Sequence, residues 1–81
     1  MSYFSMTEME WLRQFSKRLR EEMEGCGMTQ KELADEAGLS EPTISHYLNV
    51  QRLPSIKSII NICFALGIDV DTLTNFGKSI E

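Results

Sequence analysis

The chain contains few of the side chains that usually carry catalysis or bind metals. It has one histidine, His46, and two cysteines, Cys26 and Cys63, among its 81 residues. The cysteines lie far apart without the Cys-x-x-Cys spacing of a zinc site, and His46 lies on a different segment from both, so the pattern suggests no pair of nucleophile and base. We therefore expect reduced thiols in a cytoplasmic protein, and no catalysis, metal, cofactor or small-molecule substrate.

Hydrogen-bonding side chains are concentrated instead between residues 40 and 52. Ile44 and Leu48 stand at positions i and i+4 and predict the buried face of a short helix. Such a helix turns its other side chains away from the core. This outward set comprises Pro42, Ser45, His46 and Asn49, with Glu41 and Thr43 at the leading edge. The sequence thus predicts an outward polar helix surface at this point of the chain.

Apolar spacing predicts helix over nearly the whole chain and gives no strand signal. A capping box at residues 7–10 predicts the start of a first helix that ends near Gly25. A second capping box, formed by Thr29 and Glu32, starts a second helix, and Gly38 ends it.

Three more helices are predicted after this turn. Ser40 is expected to cap the third by accepting from the N–H of Thr43, and Pro42 is tolerated in its first turn, where a backbone N–H has no helical partner. The fourth helix is predicted over residues 55–66 and the fifth over 70–75. The expected fold class is all-α, with five short helices in one domain over residues 7–76 and flexible ends at 1–6 and 77–81.

Composition places the chain among ordinary globular domains, with 42% apolar and 25% charged residues. The longest apolar run, residues 59–68, is ended by Asp69 and is too short for a membrane span. The N-terminus lacks the basic and apolar pattern of a secretion signal. We therefore expect no membrane partner.

The formal net charge of −4 counts against a nucleic-acid partner, because such proteins usually carry a basic surface. Acids are concentrated in the first two helices, at Glu21, Glu22, Glu24, Glu32, Asp35 and Glu36. From residue 41 to 57, however, Glu41 is the only acid, and Arg52 and Lys57 oppose it. The outward polar surface is therefore expected to be locally basic. Lys17, Arg18 and Arg20 are expected on the surface, where Arg18 or Arg20 remains open as a further contact to a nucleic-acid backbone.

The most specific motif of the sequence spans residues 29–45. A Thr-Gln-x-Glu-Leu-Ala run at 29–34 is followed by Gly-Leu-Ser at 38–40. Ala34 is small enough for two helices to cross closely, Gly38 suits the backbone of a tight turn, and Leu39 fills the corner. This segment resembles the helix-turn-helix of the Cro and phage-repressor (XRE-type) family, and the resemblance covers roughly residues 13–75. It implies a lambda-repressor-like DNA-binding domain.

The resemblance also implies which residues contact DNA, because in this family the second helix of the motif lies in the major groove. The positions implied to contact bases are Glu41, Pro42, Ser45 and His46. Those implied to contact phosphates are Gln30, Thr43, Asn49, Gln51, Arg52 and Lys57. Glu41 suits a cytosine amino group, Pro42 a thymine methyl group, and His46 a guanine acceptor or a phosphate. Two plainer interpretations stay open: Glu41 complements the helix N-terminus, and His46 is a solvated surface side chain.

The sequence departs from the family at three points. Val50 stands where glycine is usual, so the turn after Asn49 is expected to differ in shape. Met23 and Leu48 stand where many relatives carry an Arg–Glu pair, so an apolar contact is expected in place of an ion pair. The overall acidity is the third departure.

The fourth helix is apolar over a wider arc than one core face needs. Two interpretations of Phe64 are open. It enlarges the core together with Trp11 and Phe76, or it forms a dimer contact with Ile68 and Val70.

These features together predict a sequence-specific transcriptional regulator that binds double-stranded DNA. We expect a repressor of bacterial or phage origin that acts as a homodimer. The alternative is an antitoxin-like or anti-repressor-like protein-interaction module, which would keep the fold and use its acidic face for a protein partner.

Overall fold

The computed structural model describes residues 6–75, which form five helices and no strand. The helices are α1 (Met6–Cys26), α2 (Gln30–Ala37), α3 (Glu41–Leu48), α4 (Ile56–Leu66) and α5 (Val70–Thr74). Helix α2 packs against α3 and α4, and α1 contacts α3, α4 and α5. The predicted all-α fold class with five helices is confirmed. Phe76 and the predicted C-terminal end lie outside the described residues, as do residues 1–5 of the predicted N-terminal end.

The start of α1 differs from the prediction. Met6 and Thr7 both belong to the helix, so Met6 is not part of a loose end and Thr7 is not an N-cap. An N-cap residue has non-helical backbone angles, whereas Thr7 lies within the helix, which already includes Met6. The second capping box is confirmed, since the N–H of Glu32 donates to Thr29 Oγ1 at 3.1 Å and the N–H of Thr29 donates to Glu32 Oε1 at 2.9 Å.

One continuous core lies between the helices. Its buried apolar residues are Leu12, Phe15, Leu19, Met23, Leu33, Ala34, Ala37, Ile44, Tyr47, Leu48, Ile59, Ile62, Cys63 and Leu73. All five helices contribute to this set, so the short helices α2, α3 and α5 are stabilised by tertiary packing rather than by their own length.

Aromatic side chains connect α1 to α3. Tyr47, which lies between Ile44 and Leu48 in α3, is only 3% exposed. Its ring meets that of Phe15 edge-on, with centroids 6.1 Å apart, and Trp11 stacks on Phe15 at 5.2 Å. Tyr47 is buried because α1 supplies this aromatic partner, a contact that the spacing within α3 alone does not reveal.

Met23 and Leu48 occupy the same part of the core. Each is 6% exposed, and both line a groove between the end of α1 and the start of α2, together with Arg20 and Gln30. Their placement agrees with the expected apolar substitution for an ion pair.

We expect Met23→Arg to lower the free energy of unfolding by about 3 kcal/mol, because an unpaired charge would be buried. Adding Leu48→Glu should recover much of the loss by restoring a partner. Met23→Leu is the control, since a swap of similar volume costs less than about 1.5 kcal/mol. Urea unfolding measures all three variants. If Met23→Arg unfolds at the same urea concentration as the parent, Met23 and Leu48 do not share a buried contact.

Candidate nucleic-acid interface

The turn between α2 and α3 has the geometry that the motif requires. Gly38 ends α2 in the left-handed region, with φ 69° and ψ 30°, and the N–H of Leu39 donates to the carbonyl of Ala34 at 2.9 Å. A Cβ built on Gly38 would meet nothing within 4 Å, so the backbone angle and not crowding favours glycine here. Leu39 packs against the core, and Ser40 caps α3 by accepting from the N–H of Thr43 at 3.2 Å. The turn thereby fixes where α3 begins.

The outward surface of α3 carries the polar side chains that the sequence predicted there. Ile44 and Leu48 are buried, whereas Glu41, Pro42, His46 and Asn49 are exposed and Thr43 and Ser45 are half-buried. The side-chain amide of Asn49 donates to Ser45 Oγ at 3.2 Å, and the hydroxyls of Thr43 and Ser40 lie 2.7 Å apart. These bonds order part of the surface before any ligand binds. That its side chains contact bases and phosphates remains a prediction.

The turn that follows α3 keeps a left-handed residue although no glycine is present. Val50 has a φ of 59°, and the N–H of Gln51 donates to the carbonyl of His46 at 2.8 Å. The expectation of a different turn shape is therefore wrong in this respect: the valine itself adopts the conformation that favours glycine. For a β-branched residue this costs on the order of 1–3 kcal/mol. The side chain of Val50 packs against the core, which offsets part of that cost.

The first two cations that follow α3 in the chain are not matched to acids in the part of the chain that the structure describes. Arg52 and Lys57 are exposed, and neither takes part in an ion pair within residues 6–75. Elsewhere three cations pair with acids on their own helices, each at 3.6 Å: Arg13 with Glu10, Arg18 with Glu21 and Lys31 with Asp35. Of the amides, Gln51 is exposed and Gln30 is half-buried at the start of α2. That these cations and the outward side of α3 form one locally basic surface remains a prediction.

Two residues of α1 hold the end of α3: Ser16, which the sequence did not assign to this site, and Arg20, which it left open as a backbone contact. Arg20 Nη2 donates to the carbonyl of Leu48 at 3.2 Å, and the hydroxyl of Ser16 donates to the carbonyl of Tyr47. Arg18, two residues from Arg20, donates to the carbonyl of Thr72 in α5 at 2.5 Å. In this structure both arginines therefore bond the protein's own carbonyls. The i, i+4 spacing of Ser16 and Arg20 was the available signal that they face the same neighbour.

A second exposed surface lies along α4. Phe64 is 88% exposed, so the interpretation that it enlarges the core is wrong for the single chain. Ile56 and Ile60 lie on the same face at i and i+4 and are 72% and 51% exposed. Val70 is 43% exposed, whereas Ile68 is half-buried and packs against the core.

Cys26 and Cys63 do not form a shared reactive site. Cys26 is exposed and Cys63 is buried, and both are free thiols. Burial, with a smaller contribution from Asp69, raises the pKa of Cys63 and keeps its thiol protonated. Among the described residues, no group of three His, Cys, Asp or Glu side chains could hold a metal ion. None of the helices in residues 6–75 is long and apolar enough to cross a membrane.

A family model described as helix-turn-helix matches residues 19–73, which include all of α2, α3 and α4. The chain belongs to the helix-turn-helix family. Its architecture is that of the Cro and phage-repressor (XRE-type) branch, as the sequence motif implied.

Two solved structures of helix-turn-helix proteins are similar to this one. The restriction-modification controller protein C.AhdI from Aeromonas hydrophila has a TM-score of 0.75 and 32% identity, over 76% of this chain and 94% of that one. A hypothetical transcription factor, NHTF from Neisseria, has a TM-score of 0.77 at 22% identity, over 83% of this chain and 77% of that one, which supports the fold alone. The replication factor C small subunit of Thermococcus kodakarensis is 28% identical over 74 residues, 90% of this chain, which spans only 8% of that relative's length.

The two thiols of this helix-turn-helix protein should differ in reactivity. We expect one equivalent of a disulfide reagent to react quickly with the native protein at neutral pH, at Cys26, because the thiolate is the reactive form and Cys63 is buried with a raised pKa. Cys26→Ser should remove the fast phase, and denaturant should expose the second thiol. Equal rates for the two thiols in the native protein would contradict the burial of Cys63.

Proposed function

We propose that this helix-turn-helix protein is a repressor that acts in the cytoplasm and binds a two-fold symmetric DNA site as a homodimer. Helix α3 enters the major groove, where Glu41, Pro42, Ser45 and His46 read base edges. Phosphates on either side are bound by Gln30, Thr43, Asn49, Gln51, Arg52 and Lys57. The regulatory relative C.AhdI, at 32% identity, supports a role in controlling transcription.

The observation that carries this proposal is the contrast between the two kinds of cation. Arg52 and Lys57, which follow α3 in the chain, are exposed and lack an ion pair within the described residues, as does Lys17 of α1, whereas Arg13, Arg18 and Lys31 are matched to acids. A phosphate can therefore approach Arg52 and Lys57 without displacing a carboxylate. Arg52 can meet two phosphate oxygens at once with its planar guanidinium.

The net charge of −4 does not contradict DNA binding. Affinity depends on the phosphates that are neutralised and on the counterions thereby released. If Arg52 and Lys57 each meet one phosphate, a dimer releases about four counterions, which gives a shallow salt dependence. Non-specific binding should be weak for the same reason, because it relies almost wholly on charge.

The homodimer is proposed to form through Phe64, Ile68 and Val70. Phe64 and Val70 are exposed apolar side chains, and half-buried Ile68 lies between them in sequence. Ile60 extends the exposed surface by one helical turn along α4. A contact of this size gives weak association in solution, which strengthens when two half-sites about 34 Å apart hold both subunits.

The protein-interaction module remains the second candidate, favoured by the overall acidity and by the exposed acids of α1 and α2. A module of that kind would bind a protein partner through these acids and would show no retention of DNA, even at low salt.

Titration of labelled duplex pools at low and moderate salt distinguishes the two candidates. We expect one set of related sequences to be enriched. Arg52→Ala should weaken binding to all sequences alike and reduce the salt dependence. His46→Ala should change base preference by about 1–3 kcal/mol at one position. Arg13→Ala, which removes an exposed and paired arginine of α1, is the matched control and should leave binding unchanged. Retention of no duplex at low salt would exclude the regulator and leave the interaction module.

The dimer is tested by Phe64→Lys. Because Phe64 is 88% exposed in the single chain, the melting temperature should hold, while cooperative binding to a palindromic duplex is lost. Thr7→Lys adds the same charge at an exposed position of α1 and should leave cooperativity intact. Fluorescence anisotropy against a half-site and a full site measures the effect. Unchanged cooperativity would show that the subunits meet elsewhere.

A further inference from the structure

The C-terminal end of α3 is held by two different sources of hydrogen bonds. The carbonyls of Ser45 and His46 accept from the N–H groups of Asn49 and Gln51, at 3.0 and 2.8 Å, within the turn itself. The last two carbonyls of the helix also accept hydrogen bonds from α1. The carbonyl of Tyr47 accepts from Ser16, in addition to a 3.3 Å bond from Val50, and that of Leu48 accepts from Arg20.

We propose that Arg20 is a positioning residue for DNA binding, which acts by fixing the last turn of α3 and the residues that follow it. This inference rests on the proposed function of α3. The guanidinium of Arg20 supplies both a hydrogen bond to the Leu48 carbonyl and a positive charge at the negative end of the helix dipole. Gln51 and Arg52, two of the phosphate-contacting residues proposed above, come directly after this turn.

The turn after α3 is strained, so its conformation depends on bonds such as the one from Arg20. The chain passes through Val50 in a left-handed conformation that a β-branched residue adopts only when its surroundings impose it. On one side of Val50 the Leu48 carbonyl is bonded to Arg20, and on the other the N–H of Gln51 is bonded to the His46 carbonyl. Without the bond from α1, the turn can relax and the direction of Arg52 is less restricted.

Arg18 provides a matched comparison within the same helix. It also donates from its guanidinium to a carbonyl near the end of a neighbouring helix, Thr72 in α5. Removal of Arg18 therefore deletes the same charge and the same kind of bond, together with the ion pair to Glu21, two residues away, but at α5 rather than at α3. A general effect of charge or of α1 stability would appear in both variants, whereas positioning of the α3 turn would appear only with Arg20.

Two measurements on Arg20→Gln and Arg18→Gln test the proposal. The first is amide hydrogen exchange in the free protein. In Arg20→Gln, exchange at Val50 and Gln51 should rise about three- to tenfold, while Arg18→Gln leaves these amides unchanged. The second is titration of the duplex selected by the parent protein. Arg20→Gln should weaken binding about three- to tenfold with the same slope against salt concentration, because Arg20 contacts no phosphate. Arg20→Lys keeps a cation that can reach the carbonyl, so it should recover part of the loss.

Each other outcome overturns the inference in a recognisable way. A salt slope reduced by about two counterions per dimer in Arg20→Gln would make Arg20 a direct phosphate contact. Equal losses of affinity in both glutamine variants would indicate a general effect of charge. Unchanged exchange at Val50 and Gln51 would show that Arg20 does not hold the turn. If the parent protein binds no duplex, the proposed function fails, and the exchange data alone still decide whether Arg20 fixes the end of α3.

Discussion

Helix α3 contains 8 residues, and an isolated helix of that length is not stable in water. Its existence and direction therefore depend on the burial of Ile44, Tyr47 and Leu48, which are 0%, 3% and 6% exposed. Once these three side chains are fixed, the opposite side of α3 is fixed as well, because helical geometry leaves no freedom to rotate one face without the other. The polar surface that is proposed to recognise DNA is in this sense a product of the core.

Both ends of α3 are held by contacts with the rest of the protein. At the N-terminal end, Gly38 supplies a left-handed turn and Ser40 a cap. At the C-terminal end, Val50 supplies the left-handed turn under strain, and α1 satisfies the remaining carbonyls. Both turns contain a left-handed residue. Glycine adopts this conformation without strain at the first turn, whereas valine is strained in it at the second. The second turn makes the end of α3 dependent on α1.

The sequence predicted helix positions well because each signal was local. Capping residues such as Thr29 and Ser40 act within three residues, and a glycine stop such as Gly38 acts on its own backbone. The predicted N-cap at Thr7 is wrong because the prediction used only this local pattern. The helix already includes Met6, so Thr7 cannot cap it. The outward face of α3 was likewise predicted from spacing alone.

Contacts between distant segments could not be predicted in this way. The bonds from Ser16 and Arg20 to α3 join residues about thirty positions apart, and nothing in either segment alone specifies that they meet. The burial of Tyr47 depends on Phe15 for the same reason. The exposure of Phe64 could not be predicted either, because it depends on which side of α4 the other helices cover.

The row of rings from Trp11 through Phe15 to Tyr47 has an optical consequence. Trp11 is the single tryptophan of the chain, and it stacks on a ring whose edge meets the buried tyrosine of α3. Its fluorescence therefore senses the packing of α1 against α3 from inside the protein, on the side away from the polar surface. The chain thus carries its own spectroscopic reporter for the docking of α3, and no label need be attached to the face that would meet DNA.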